Sequence, residues 1–335
     1  MVLVQNKSTR GAQHIHMSAF GLYCWCMLTV LCVVLSLVLL FLDLFLERYA
    51  SESAPSVIIQ LRAGMGNQMF QYAAGLGMAH AHPEYRVCVS GLGDHFQLAH
   101  ANSALDLHIQ VLNTSGLVAC RELGGVFRWL QNNIVNDLEL RLAWLIEFSP
   151  PHSTYVPIPV PLQKLVLVSG YMQSFKYFRH VPHPFYRPKQ LDAARLWLSQ
   201  RELTSVVHVR RGDKLWDSSP VVPVAYYQKA LHAIGNPRVA VCTDDVEWVR
   251  AQPVFENATI SIRHDPGFDL ALLAAATEYV VIGIGTFGWW GAYLSTAKRK
   301  YFYQIMFQGE LLLGYEEADY IPYNESGQGE WIAMV

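Results

Sequence analysis

The segment His208-Val-Arg-Arg-Gly-Asp213 places two adjacent cations directly after an apolar run, Ser205-Val-Val-His-Val209. Core packing explains such a pair poorly. A guanidinium is permanently charged and offers paired donors that match phosphate oxygens. Gly212 allows a sharp turn or a close backbone approach. Arg210 and Arg211 are therefore read as a grip for a phosphate or diphosphate, with His208 beside them as a nucleotide contact or a satisfied buried histidine. The bland reading is a surface ion-pair cluster around Asp213, since charge clusters can be structural.

Three further segments could join that chemistry. Gly64-Met-Gly-Asn-Gln68 stands between a strand pattern and a helix pattern. The amides of such a corner suit an anion, so Gly64, Gly66, Asn67 and Gln68 form a possible donor or acceptor loop. Met69 occupies the third glycine position of the dinucleotide fingerprint, so the match is partial. In Gly285-Thr-Phe-Gly-Trp-Trp-Gly-Ala-Tyr293, Thr286 could cap a helix or donate to a phosphate, and Phe287 could meet a ligand. Trp289, Trp290 and Tyr293 read as core. In Thr243-Asp244-Asp245 a carboxylate could hold a ribose or sugar hydroxyl, or simply cap the helix carrying Trp248. Two adjacent acids fall short of a divalent cation site, and no cysteine or histidine spacing suggests a metal. No metal or other cofactor is expected.

The elements that must carry these segments alternate. Strand patterns at Val57–Leu61, Tyr85–Val89, Leu165–Ser169, Ser205–Val209, Val239–Cys242 and Tyr279–Ile284 are separated by helix patterns at Asn67–Ala81, Leu191–Gln200, Tyr226–Ile234 and Leu270–Ala276, with further helices through Trp248 and from Trp289. Residues 100–155 read as helical and less regular. Alternation of this kind implies α/β architecture with parallel sheets, in which ligands bind beyond the carboxyl ends of strands. Each polar segment above falls at such an end. The Pro-rich stretch 150–161 marks a boundary between residues 56–160 and 161–335.

Residues 20–42 carry no charge, which is long enough for one bilayer span. Lys7 and Arg10 precede it and the first acid is Asp43, so a short tail, 1–19, faces the cytosol and a stem, 43–55, leads to the bulk of the chain on the other side. A cleaved signal peptide and a mitochondrial transit peptide are the alternatives. Beyond the span lie Cys88, Cys120 and Cys242, enough for one disulfide at most. Sequons at Asn113, Asn257 and Asn324 are glycosylation candidates. The charged fraction is 16% and the formal net charge −2, which argues against bulk nucleic-acid binding.

Taken in order, Arg62-Ala-Gly-Met-Gly-Asn-Gln-Met-Phe-Gln-Tyr72, Gly170-Tyr-Met-Gln-Ser-Phe-Lys-Tyr-Phe178, His208–Asp213, Thr243-Asp-Asp with Trp248, and Gly285–Leu294 resemble the motifs of the α-1,2-fucosyltransferase family. Met172 departs from the larger aromatic expected there, and the interval from Asp269 to Gly285 is one residue longer, so no role passes to Asp269. The resemblance implies a GT-B-like pair of Rossmann-type domains, an acceptor-side domain over 56–160 and a GDP-fucose-binding domain over 161–335. It implies inverting transfer of L-fucose from GDP-β-L-fucose to the 2-hydroxyl of a galactose-terminated glycan. Arg210 and Arg211, with Thr286, would stabilise the departing diphosphate, and Asp213 is the candidate base. His208, Thr243, Asp244 and Phe287 would complete the donor site. Animal members are single-pass type II Golgi membrane proteins with a lumenal catalytic domain, in keeping with an anchor at 20–42. The rivals are fucosyl transfer to another linkage, another nucleotide-sugar donor, an inactive membrane-tethered glycan-binding protein, and a nicotinamide oxidoreductase. A diphosphate grip has no use in the inactive binder, and Ser90 stands where a dinucleotide enzyme closes its second strand with an acid.

Overall fold

A computed structural model describes residues 27–37, 40, 56–61, 63–90, 118–119, 145–148, 154–158, 165–181, 188, 190–215, 220–262, 265–304, 316–323 and 328–335. The chain divides into two compact units, Met1–Ser53 and Ala54–Val335. In the first, residues 27–37 are helical and their side chains exposed. Among the described residues no helix is long and apolar enough to cross a membrane. The rest of the segment 20–42, and the sequons Asn113 and Asn324, lie outside the described residues. Asn257 is described and exposed.

The second unit is built on two parallel sheets. The first contains β1 (Ser56–Gln60), β2 (Arg86–Ser90), β3 (Val118–Ala119), β4 (Leu145–Phe148) and β5 (Leu165–Val168) in the order β3-β2-β1-β5-β4. Val57 lies opposite Val87 on one side and Val166 on the other, and both pairings are parallel. The first sheet thus takes in a strand beyond residue 160. The helix α1 (Met65–Ala81) joins β1 to β2. Residues 145–148, read as helical from the sequence, form a strand. Only four residues long and placed at the sheet edge, that strand leaves too short a period to distinguish in an apolar stretch.

The second sheet contains β6 (Val206–Val209), β7 (Ala240–Thr243), β8 (Thr259–Ile260), β9 (Tyr279–Ile282), β10 (Arg299–Tyr303) and β11 (Glu330–Met334). Its order is β11-β10-β9-β6-β7-β8, again parallel throughout. The connecting helices are α2 (Leu191–Ser199), leading into β6, then α3 (Val224–Ala233), α4 (Val246–Arg250), α5 (Pro266–Ala275), α6 (Thr286–Leu294) and α7 (Glu317–Tyr320). The strands β8, β10 and β11 escaped the sequence reading. The first is two residues long, and Arg299 and Lys300 break the apolar run of β10.

Each sheet reverses its winding direction once. In the first sheet the chain runs β1, β2, β3 to one side, crosses to the far edge at β4 and returns to fill the place beside β1 with β5; in the second it runs β6, β7, β8 before resuming at β9. Crevices for ligands open where strand order reverses, beyond the carboxyl ends. Those points are β1/β5 and β6/β9.

One apolar core runs through both sheets, from Val57 and Phe70 to Trp289 and Phe302. Its centre is aromatic. The Phe70 ring lies 4.5 Å from that of Trp289 and 4.9 Å from that of Trp290, and Trp290 stacks on Phe178 at 5.3 Å. Trp289 and Trp290 are fully buried, as the sequence reading expects. Their indole N–H groups are satisfied: Trp289 Nε1 donates to Tyr320 O at 2.8 Å and Trp290 Nε1 to Gly66 O at 2.9 Å. Truncating one such ring costs about 3–5 kcal/mol. Cys242 is a free buried thiol and Cys88 is disulfide-bonded.

Candidate active site

The two glycine segments meet. A Cβ on Gly66 would lie 2.6 Å from both Thr286 Oγ1 and Phe287 N. Only a glycine therefore lets the first turn of α1 press on the first turn of α6. Neither helix has a side-chain cap, because Gly64 and Gly285 stand at the N-cap positions, and neither has an acid in its first turn. Thr286 is the first helical residue rather than the cap, and it is buried. Two positive helix poles are thus brought together without a protein carboxylate in either first turn.

Arg210 joins them. His208 on β6 and Arg210 just past its end both meet α6, whereas Arg211 turns to Asp245 and Trp248. The Arg210 guanidinium Nη1 lies 2.8 Å from the point a Cβ on Gly285 would occupy, and Gly285 has φ 118°. A guanidinium beside an uncapped helix N-terminus is a repulsive pairing that an anion relieves. His208 sits under the same turn. Its ring is 5.3 Å from Phe287, and a Cβ on Gly288 would lie 2.6 Å from its Nδ1. That Nδ1 is buried and has no hydrogen-bond partner. Burial, reinforced by the charge of Arg210, holds the imidazole pKa down at about 3, so the ring is neutral at ordinary pH.

Arg211 has other partners. Its Nε donates to Asp245 Oδ2 at 3.2 Å, its guanidinium carbon lies 4.0 Å over the Trp248 ring, and its backbone N donates to Asp244 Oδ1 at 2.8 Å. Asp245 also caps α4 by accepting from Trp248 N at 3.1 Å. Thr243 Oγ1 accepts from Asp245 N at 3.0 Å. The Thr243-Asp-Asp turn is therefore a brace for the arginine loop, with Asp244 exposed at its rim. Gly212 gives Asp244 room, since a Cβ there would stand 3.1 Å from its Oδ2. The sequence reading missed Trp248 and Asp245 as partners of Arg211, although their spacing after β7 was the available signal. Asp213 opens a 3-10 turn, Asp213–Leu215; its side chain lies outside the described residues.

The loop at 64–68 is tied to the segment 170–178. Gln173 Nε2 donates to Asn67 Oδ1 at 2.6 Å, and Gln71 Nε2 to Gly170 O at 3.4 Å. Gln68 Nε2 donates to Ala63 O at 2.7 Å. Among the described residues no group of three or more His, Cys, Asp or Glu side chains could hold a metal ion.

Residues 174–320 match the profile of glycosyl transferase family 11. The chain carries a glycosyl transferase family 11 segment. This bears out the resemblance drawn from the motifs, and the segment contains the arginine loop, the Thr243 turn and α6. Two curated relatives lie in the same direction. The galactoside alpha-(1,2)-fucosyltransferase 2 of Oryctolagus cuniculus is 30% identical over 176 residues, covering 44% of this chain and 48% of that protein. The galactoside 2-alpha-L-fucosyltransferase Sec1 of Mus musculus is 33% identical over 110 residues, covering 28% and 29%. The chain thus matches less than half the length of either relative. Among solved structures, fucosyltransferase NodZ from Bradyrhizobium has a TM-score of 0.46 at 13% identity, covering 73% of this chain and 94% of that one.

Proposed function

We propose that this family 11 chain is an inverting fucosyltransferase that moves L-fucose from GDP-β-L-fucose to the 2-hydroxyl of a galactose. The observation that carries the reading is the meeting of Arg210 with the uncapped first turn of α6, above the partnerless Nδ1 of His208. A diphosphate there would accept from the guanidinium and from helix amides. The two curated relatives named above, both galactoside fucosyltransferases, favour fucose and the α-1,2 linkage.

In the transfer the bond from fucose C1 to the β-phosphate oxygen breaks while the acceptor oxygen attacks the opposite face. Negative charge grows on the departing GDP. Arg210 and the α6 amides are fixed before that charge develops, so they stabilise it without reorganising. Thr286 Oγ1 and the Phe287 ring border the same anion. Arg211 is assigned to hold the loop, given its bonds to Asp245 and Trp248, and Asp244 is assigned to a donor hydroxyl at the rim. Asp213 is the proposed acceptor of the galactose proton.

The two sheets are read as a GT-B-like pair, the first facing the acceptor and the second the donor. The charge-free stretch 20–42 supports a type II Golgi anchor with a lumenal catalytic unit. Calorimetric titration of the full chain with GDP tests the site. Binding that vanishes in Arg210→Ala, with thermal unfolding unchanged, supports it. A wild-type chain that ignores GDP contradicts it.

A further inference from the structure

The crevice point of the second sheet is cationic, whereas that of the first is lined with carboxamides. Beyond the ends of β1 and β5 stand Asn67, Gln68, Gln71 and Gln173. Gln68 and Gln71 are spent on backbone carbonyls, which pins α1 to the flanking turns. The other two bond to each other. Gln173 is buried, and its Nε2 donates to Oδ1 of the half-buried Asn67 amide at 2.6 Å. The Nδ2 edge of Asn67 is thereby turned away from Gln173.

Two strained turns converge on this pair. Ala63 has φ 61° and the fully buried Met172 has φ 50°. They are two of the four non-glycine residues with positive φ among the described residues, and the Asn67–Gln173 bond joins the segments that hold them. Each such residue costs of order 1–3 kcal/mol, and such strain clusters where geometry serves a ligand. Asn67 follows Gly66, whose backbone touches Thr286 and Phe287. The neutral cluster therefore borders the cationic one across a single residue.

A carboxamide reads a hydroxyl as donor and acceptor alike, without attracting a phosphate. We propose that Asn67 binds a ring hydroxyl of the neutral acceptor pyranose, with Gln173 as its positioning residue; this rests on the reading that the cationic side takes the nucleotide sugar. The pair then belongs to acceptor selection rather than to donor binding.

The test uses the full-length chain in detergent, without GDP-fucose. Saturation-transfer NMR measures binding of methyl β-D-galactoside and its monodeoxy analogues. Asn67→Asp keeps an acceptor oxygen for Gln173, replaces the Nδ2 donor with a second acceptor oxygen and adds a negative charge. It should weaken the galactoside about tenfold, the worth of one buried hydrogen bond, and level the difference between parent and one deoxy analogue. Gln173→Ala, which adds no charge, should do the same while GDP affinity stays within about twofold. The inference is overturned if the wild-type chain binds no galactoside, or if the deoxy pattern survives in Asn67→Asp. It is also overturned if the variants lose GDP and keep the galactoside, since the pair then reads the donor. A wild-type chain that binds the galactoside but not GDP sinks the donor reading and leaves the amide pair in place.

Discussion

Arg210 lies where a side chain on Gly285 would have to be: its Nη1 is 2.8 Å from the position of that missing Cβ. Gly285 also holds φ 118° and ψ 152°, a conformation that L residues rarely adopt. Gly285→Ala therefore strains the backbone and displaces the guanidinium together. The expected cost is about 1–3 kcal/mol in stability by chemical denaturation, with GDP affinity falling by at least about tenfold. Unchanged GDP affinity in a folded variant would detach Arg210 from the anion site.

The two arginines should separate in function. Arg210 meets α6, whereas Arg211 is held by Asp245 and Trp248 with its side chain only 16% exposed. Arg211→Ala is expected to lower stability by about 1–2 kcal/mol through the lost ion pair and ring contact. A double-mutant cycle with Trp248→Leu should show coupling of about 0.5–2 kcal/mol. Strict additivity would mean the contact carries no energy.

His208 gives an acid-side signature. Its pKa drops from 6.5 in the unfolded chain to about 3 in the folded one. The folded state then binds fewer protons than the unfolded state between those values. Its stability contribution is present above pH 6.5 and is lost as pH falls toward 3. One proton gives a slope of about 1.4 kcal/mol per pH unit. Urea unfolding from pH 7 to 4 should show a slope steeper in wild type than in His208→Gln, by up to about this amount below pH 6.5. Equal slopes would mean that the imidazole charges while still folded.

Lys300 is the second buried ionisable group with a clear sign. It is fully buried, its Nζ reaches Gln328 Oε1 at 3.3 Å, and it lies 5.4 Å from the Trp331 ring centre. Burial lowers its pKa from 10.5 to about 7. Stability therefore falls as pH drops from 10.5 to about 7 and is level below. Lys300→Met should stabilise the protein by about 1–2 kcal/mol at pH 6 and less at pH 9, read from urea midpoints. A destabilised variant would show that the Gln328 and Trp331 contacts outweigh desolvation.

Much of the site was legible because its chemistry is local. Arg210 and Gly285 are adjacent to strand ends whose apolar runs mark them, and Trp289 and Trp290 are core by size alone. The alternation of strands and helices foretold two parallel sheets. What the chain order hides is the pairing of distant segments. Nothing in the spacing says that Gly66 must touch Thr286, that Gln173 holds Asn67, or that Asp319, bonded to Lys176 Nζ and Tyr155 N, ties α7 back to the first half. Arg211 illustrates the limit most clearly. Its type suggested a phosphate ligand, but past the end of β6 it turns to Asp245 and Trp248. The short strands β3, β4 and β8 carry too few residues to show a period.

The central claim is tested most directly by incubating the purified full-length chain with labelled GDP-fucose and a panel of β-galactosides, with and without EDTA. The account predicts label on the galactose 2-hydroxyl with inversion at fucose C1, at a rate that survives EDTA because Arg210 and α6 hold the leaving group. No GDP release with any acceptor, from a chain shown to be folded, would contradict it.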